Sequence, residues 1–125
     1  YKRLALVLLI LTLVQVVFGT QVREQIDHIT NSEPNLARSN WLDRLGSIFF
    51  IHRSYSIVLV LGYFYLLRKL MEDFKESLVI QRLCINIALI IIAEIAAGVS
   101  LAYFSFPAAL QPIHLLLSII LMSYQ

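Results

Sequence analysis

Polar and apolar positions along this chain are sorted into blocks rather than interleaved. Four stretches lack Asp, Glu, Lys and Arg: Leu4 to Val22, Ser54 to Leu67, Leu83 to Ala93 and Ile95 to Gln125. A membrane span needs roughly 20 mostly apolar residues, and lipid admits only helices or closed barrels, because backbone polarity must be satisfied internally. No stretch alternates with a period of two, which removes the barrel. The pattern predicts an all-α polytopic membrane protein, a four-helix bundle in one domain over residues 1–125, with helices at about 3–22, 45–68, 80–104 and 108–125. The first block opens on "YKR" like a secretory signal. It is longer than a signal core, and "VVFGTQVRE" offers no clear small-x-small cleavage site, so it reads as a span.

Composition agrees with this picture: 59% of the residues are hydrophobic and 14% charged, against roughly a quarter charged in soluble domains. The distribution of charge adds orientation. "RKLMEDFKESLVIQR" holds Arg68, Lys69, Lys75 and Arg82, and the chain starts with Lys2 and Arg3. The positive-inside rule therefore predicts cytoplasmic ends and a cytoplasmic second loop in a multi-pass protein; the bacterial cytoplasmic membrane is the expected location. Thr20 to Arg44 and "YFSFPAALQ" then face outward, with Trp41 and Tyr103 at the level of an outer aromatic belt. The net charge of +2 is a topology signal; no basic stripe points to nucleic acid. Cys84 is the one cysteine, so no internal disulfide forms. Without an initiator Met, and with a last span cut close at Gln125, the chain reads as a piece or half of a longer protein.

Two histidines fall within predicted spans. His52, in "SIFFIHRSYS", and His114, in "QPIHLLLS", each lie one to two turns inside the outer end of their helix. Both helices run inward, which sets the imidazoles at matching depth, within about one turn or 5.4 Å. Level histidines on facing helices are what bis-histidine haem ligation requires. A polar packing pair and a proton or ion path remain open alternatives, whereas zinc wants more ligands close by. His28 falls in the polar outer loop and reads as a solvated side chain.

A weak internal repeat sharpens the haem reading. "QVVFGT" (Gln15 to Thr20) and "EIAAGV" (Glu94 to Val99) each place a glycine four residues after a polar one. A serine follows each histidine by four residues, as Ser56 and Ser118, on the same helix face. Gly19 and Gly98 would let backbone approach the edge of a macrocycle, and the unit becomes two helical hairpins related by an axis along the membrane normal. Common small-residue packing explains the same pattern equally well. Arg23 and Arg53 are candidate clamps for anionic propionates; each could equally be a plain interfacial arginine. Glu94 falls mid-span, where a carboxyl is costly unless paired. Glu94 is expected below both histidines, either protonated or, the favoured reading, hydrogen-bonded to Gln15 across the bundle.

"GTQVREQID", "IHRSYS", "EIAAGVSLAYF" and "FPAALQPIHLLLS", in this order, resemble the haem A synthase family. That resemblance implies eight helices in two four-helix halves, with a pair of histidines in each. This chain is similar to the second half; "SEPNLARSNWLDR" lacks the "RLTxSGLS"-like segment and acidic pair of the first. The family's first half accepts haem O and carries the catalytic acid, while the second holds a permanent haem b. By resemblance, His52 and His114 are the axial ligands of haem b iron, and this half contains no catalytic residue. The family usually has glutamine where Glu94 stands, which leaves that residue's role open. The implied reaction oxidises a methyl group of haem O to the formyl of haem A for cytochrome oxidase. The implied partners are the bilayer, haem, the other half of the protein or an equivalent subunit, haem O synthase and further copies of the chain. A stand-alone four-helix cytochrome b is the alternative, and a haem-free assembly subunit is a third reading. The first of these is weakened by the lack of histidines near the cytoplasmic ends.

Overall fold

The computed structural model describes residues 1–124. Five α-helices make up the described chain: α1 (Lys2–Ser32), α2 (Trp41–Arg44), α3 (Ser47–Asp73), α4 (Leu78–Tyr103) and α5 (Leu110–Ser123), with a 3-10 turn at Arg38–Asn40 before α2. Helices α1, α3 and α4 are long and apolar enough to cross a membrane. At about 1.5 Å per residue, the 14 residues of α5 fall short of the roughly 30 Å hydrocarbon layer. Gln125, the last residue of the predicted fourth span, lies outside the described residues.

Helix α1 runs ten residues beyond the predicted end at 22. Its polar extension remains amphipathic: Val22, Ile26 and Ile29 are buried on one stripe, while Arg23 and Asp27 pair on another at 3.1 Å. The i, i+4 spacing serves both faces. His28, predicted in a loop, is on this helix and exposed. Helix α3 likewise continues to Asp73 through an Arg68–Glu72 pair at 2.8 Å.

Helix α1 packs along α3 and α4 along α5, while α3 meets α4 and α1 meets α5. The buried apolar side chains form two clusters. One holds Leu8, Leu59, Tyr63, Leu66, Leu67, Cys84, Ile87 and Leu121. The other holds Val22, Ile26, Ile29, Trp41, Leu45 and Phe106. Each long helix and α5, with its preceding turn, contributes to the first cluster, then to a band of polar and small residues; α1, α3 and the α4–α5 turn go on into the second. Trp41, predicted at an outer aromatic belt, is instead buried in the second cluster, whereas Tyr103 is exposed. The Trp41 indole lies 6.1 Å from the Phe106 ring, with the Arg38 guanidinium 5.2 Å over it. Phe106 gets there through left-handed backbone at Ser105 and Phe106 (φ 61° and 53°), a conformation that costs non-glycine residues about 1–2 kcal/mol each. Burial of the Phe106 ring and the hydrogen bond that the Phe106 N–H donates to the Leu101 carbonyl, 3.0 Å, offset it.

Side chains fasten the helix ends. Gln25 on α1 accepts from the Gly46 amide at 3.1 Å, which sets the start of α3. Gln81 on α4 donates to the Met71 and Phe74 carbonyls at 3.1 and 3.3 Å. That bond closes the end of α3, where carbonyls have no helical partner. Deeper in, the Thr12 and Tyr63 hydroxyls pair at 2.9 Å between α1 and α3.

Candidate functional site

Between the two apolar clusters the rings of His52 (α3) and His114 (α5) meet, with centres 6.5 Å apart and planes crossing at 77°. The expected matching depth is therefore realised as contact distance across the interior. Both side chains are half-buried. Both Nδ1 atoms are buried without an aligned hydrogen-bond partner among the described residues.

A glycine stands behind each ring. A Cβ on Gly19 would lie 3.3 Å from His52 Cε1, and one on Gly98 would lie 3.2 Å from His114 Cε1. The absent side chains thus make room for the imidazoles themselves. One helical turn away from each glycine is the polar residue singled out in the sequence. Gln15 donates its side-chain amide to the His52 carbonyl at 3.0 Å, and its Oε1 is buried without a partner. Glu94 Oε2 lies 3.2 Å from His114 Nδ1, and Oε1 accepts from the Ser118 hydroxyl. The same four-residue spacing therefore brings a polar group and a glycine to one histidine twice.

Glu94 does not pair with Gln15. Each belongs to a different contact, Gln15 reaching from α1 to α3 and Glu94 from α4 to α5. The Glu94 carboxylate reaches the His114 ring, with Oε2 3.2 Å from Nδ1. Residue counting along a straight helix missed the length of a glutamate side chain, which reaches a full turn. The two serines also diverge. Ser118 donates to Glu94 and lies 3.3 Å from the His114 carbonyl. Ser56 turns back onto its own helix and donates to the Arg53 carbonyl at 2.6 Å. Arg23 is occupied by Asp27, both about half exposed, and Arg53 is exposed on α3.

This donor set fits a planar macrocycle that brings its own four equatorial nitrogens and takes two axial ones from the protein. Two metal–nitrogen bonds of about 2 Å, plus roughly an ångström from each nitrogen to its ring centre, put paired rings about 6 Å apart. The observed 6.5 Å is close to that spacing. Among the described residues no three His, Cys, Asp or Glu side chains gather as a metal site. Two histidines would suit a group that brings its other ligands with it better than a bare ion that needs four from the protein.

Paired histidines on a long and a short apolar helix, packed with two further long ones, define a helical membrane protein with an interior polar centre. The chain belongs to the COX15-CtaA family of cytochrome oxidase assembly proteins, the haem A synthase family, which it matches over residues 1–125. Membership carries a role in haem A biosynthesis for cytochrome oxidase and places the chain among oxidoreductases. With its three long apolar helices it is an integral membrane protein. No curated protein and no solved structure matches the chain.

Proposed function

We propose that this chain is the haem b-binding half of a haem A synthase, a four-helix bundle of two repeated hairpins in which His52 and His114 are the axial ligands. The observation that carries the reading is the 6.5 Å separation of the two imidazole rings. Gly19 and Gly98 give each ring its place, and Gln15 and Glu94 hold the two histidine segments from the neighbouring helices. Apolar clusters lie on either side of the centre. A bis-histidine haem supplies one-electron transfer and has no open position for oxygen. The half described here would support oxidation of haem O without holding it, and the catalytic acid and substrate site would belong to a second half or equivalent subunit. Arg53, exposed beside His52, is the better candidate for a propionate, because Arg23 is already paired. Haem O synthase and further copies of the chain are the partners this role would favour.

Replacing His52 or His114 with alanine should abolish the low-spin bis-histidine absorbance or convert it to high-spin. His28→Ala should leave it intact. A normal low-spin spectrum in His114→Ala would refute the ligand assignment.

The proposed membrane orientation follows the charge asymmetry, with the α1–α3 connection outside and the α3–α4 turn in the cytoplasm of a bacterial cell. Cysteines introduced at Ser32 and Lys75 should label from opposite sides in intact cells. Labelling from one side at both would overturn the orientation.

A further inference from the structure

The two histidines are backed by different chemistry. Behind His52 is a neutral amide that donates to the backbone carbonyl, 3.0 Å away. Behind His114 is a carboxylate, 3.2 Å from Nδ1. The Nδ1–H of His114 does not point along that line, and both atoms are buried without an aligned partner. Each is the nearest remedy for the other: a small rotation of the imidazole closes the bond and satisfies two buried polar atoms together. Ser118 already holds the other carboxylate oxygen, so Glu94 has little freedom to turn away.

We propose that Glu94, held by Ser118, is a positioning residue that accepts the Nδ1 proton of His114 and makes it the more electron-donating of the two axial ligands. This rests on the haem reading above. A proton kept on Nδ1 leaves Nε2 as the metal-facing atom, because which ring nitrogen coordinates is set by the hydrogen bond of the other. A carboxylate partner also raises the basicity of a ligating imidazole. More electron density on the iron stabilises its oxidised state and lowers its reduction potential. Gln15 brings no charge to His52: its amide is neutral, and it donates to the His52 carbonyl. The site is therefore electronically lopsided although its skeleton repeats.

The test is redox titration and electron paramagnetic resonance on the full-length, haem-loaded protein, comparing wild type with Glu94→Gln and Ser118→Ala, with His114→Ala measured in parallel. Glu94→Gln should keep a low-spin spectrum while its reduction equilibrium shifts at least tenfold toward the reduced form, which is a rise of about 59 mV for one electron. The largest g value should move with it. Ser118→Ala should shift both in the same direction by less. A low-spin Glu94→Gln protein whose equilibrium stays within twofold of wild type would overturn the proposal. Should Glu94→Gln lose its haem, Ser118→Ala decides: a rise supports the proposal and an unchanged potential overturns it. A low-spin spectrum surviving in His114→Ala would instead remove the ligand assignment underneath, and the two failures are thereby told apart.

Discussion

The α1–α3 hairpin and the α4–α5 hairpin solve one packing problem with two different polar residues. In both, a glycine lets an imidazole lie against backbone, with the nearest approach of a would-be Cβ at 3.3 Å in one and 3.2 Å in the other. In both, the residue four positions earlier reaches the histidine segment. In the first hairpin that residue is Gln15 and the contact is to the main chain; in the second it is Glu94 and the contact is to the ring. The comparison separates two requirements. Space for the ring is geometric and is met the same way twice. Polarity behind the ring is chemical and is free to differ.

The largest expected effect breaks the shared part. Gly19→Leu and Gly98→Leu each put a branched side chain where a ring now lies, and each should cost tenfold or more in haem affinity, read by haem titration of the detergent-solubilised protein. Loss in one variant with wild-type affinity in the other would show that the hairpins are not equivalent in geometry. A smaller effect sharpens the unequal part. Glu94→Leu removes the carboxylate that accepts from Ser118 and lies beside His114 Nδ1, and should lower stability by about 1–3 kcal/mol. Gln15→Leu removes one interhelical bond, for which membrane proteins average about 0.6 kcal/mol. Unfolding of both variants in mixed micelles measures the difference, and equal losses would contradict the asymmetry. Smallest of all, Arg23→Ala breaks an exposed i, i+4 pair worth about 0.3–0.5 kcal/mol and should leave haem affinity unchanged. A tenfold fall in affinity would make Arg23 a propionate clamp after all.

Much of this was legible in the residues. Blocks without charge located α1, α3 and α4 to within a few residues at their apolar ends, because lipid tolerates few charges in a span. The helix ends were harder. Residues 23–32 of α1 look like loop by polarity, yet Val22, Ile26 and Ile29 continue a buried stripe that a hydropathy average dilutes. Trp41 was misplaced for a related reason: aromatic residues suit a membrane interface, but only the folded α4–α5 turn shows that Phe106 comes down onto it. Gln15 and Glu94 were visible as a repeated spacing, but the spacing could not say which groups they would touch.

By itself the sequence determined the elements and the chemistry available between them. Run length and lack of charge made helices α1, α3 and α4 span-length, the i, i+4 glycines marked where backbone could come close, and His52 and His114 were the two histidines within the predicted helices. Tertiary structure decided the pairing: that the two rings meet at 6.5 Å, that each glycine faces a ring, and that Glu94 serves His114 and not Gln15. The physical reason is rotation. Helical periodicity gives a residue its depth along the axis, but the direction in which its side chain points depends on how each helix is turned when all four pack. A shift of one residue turns a side chain by about 100°.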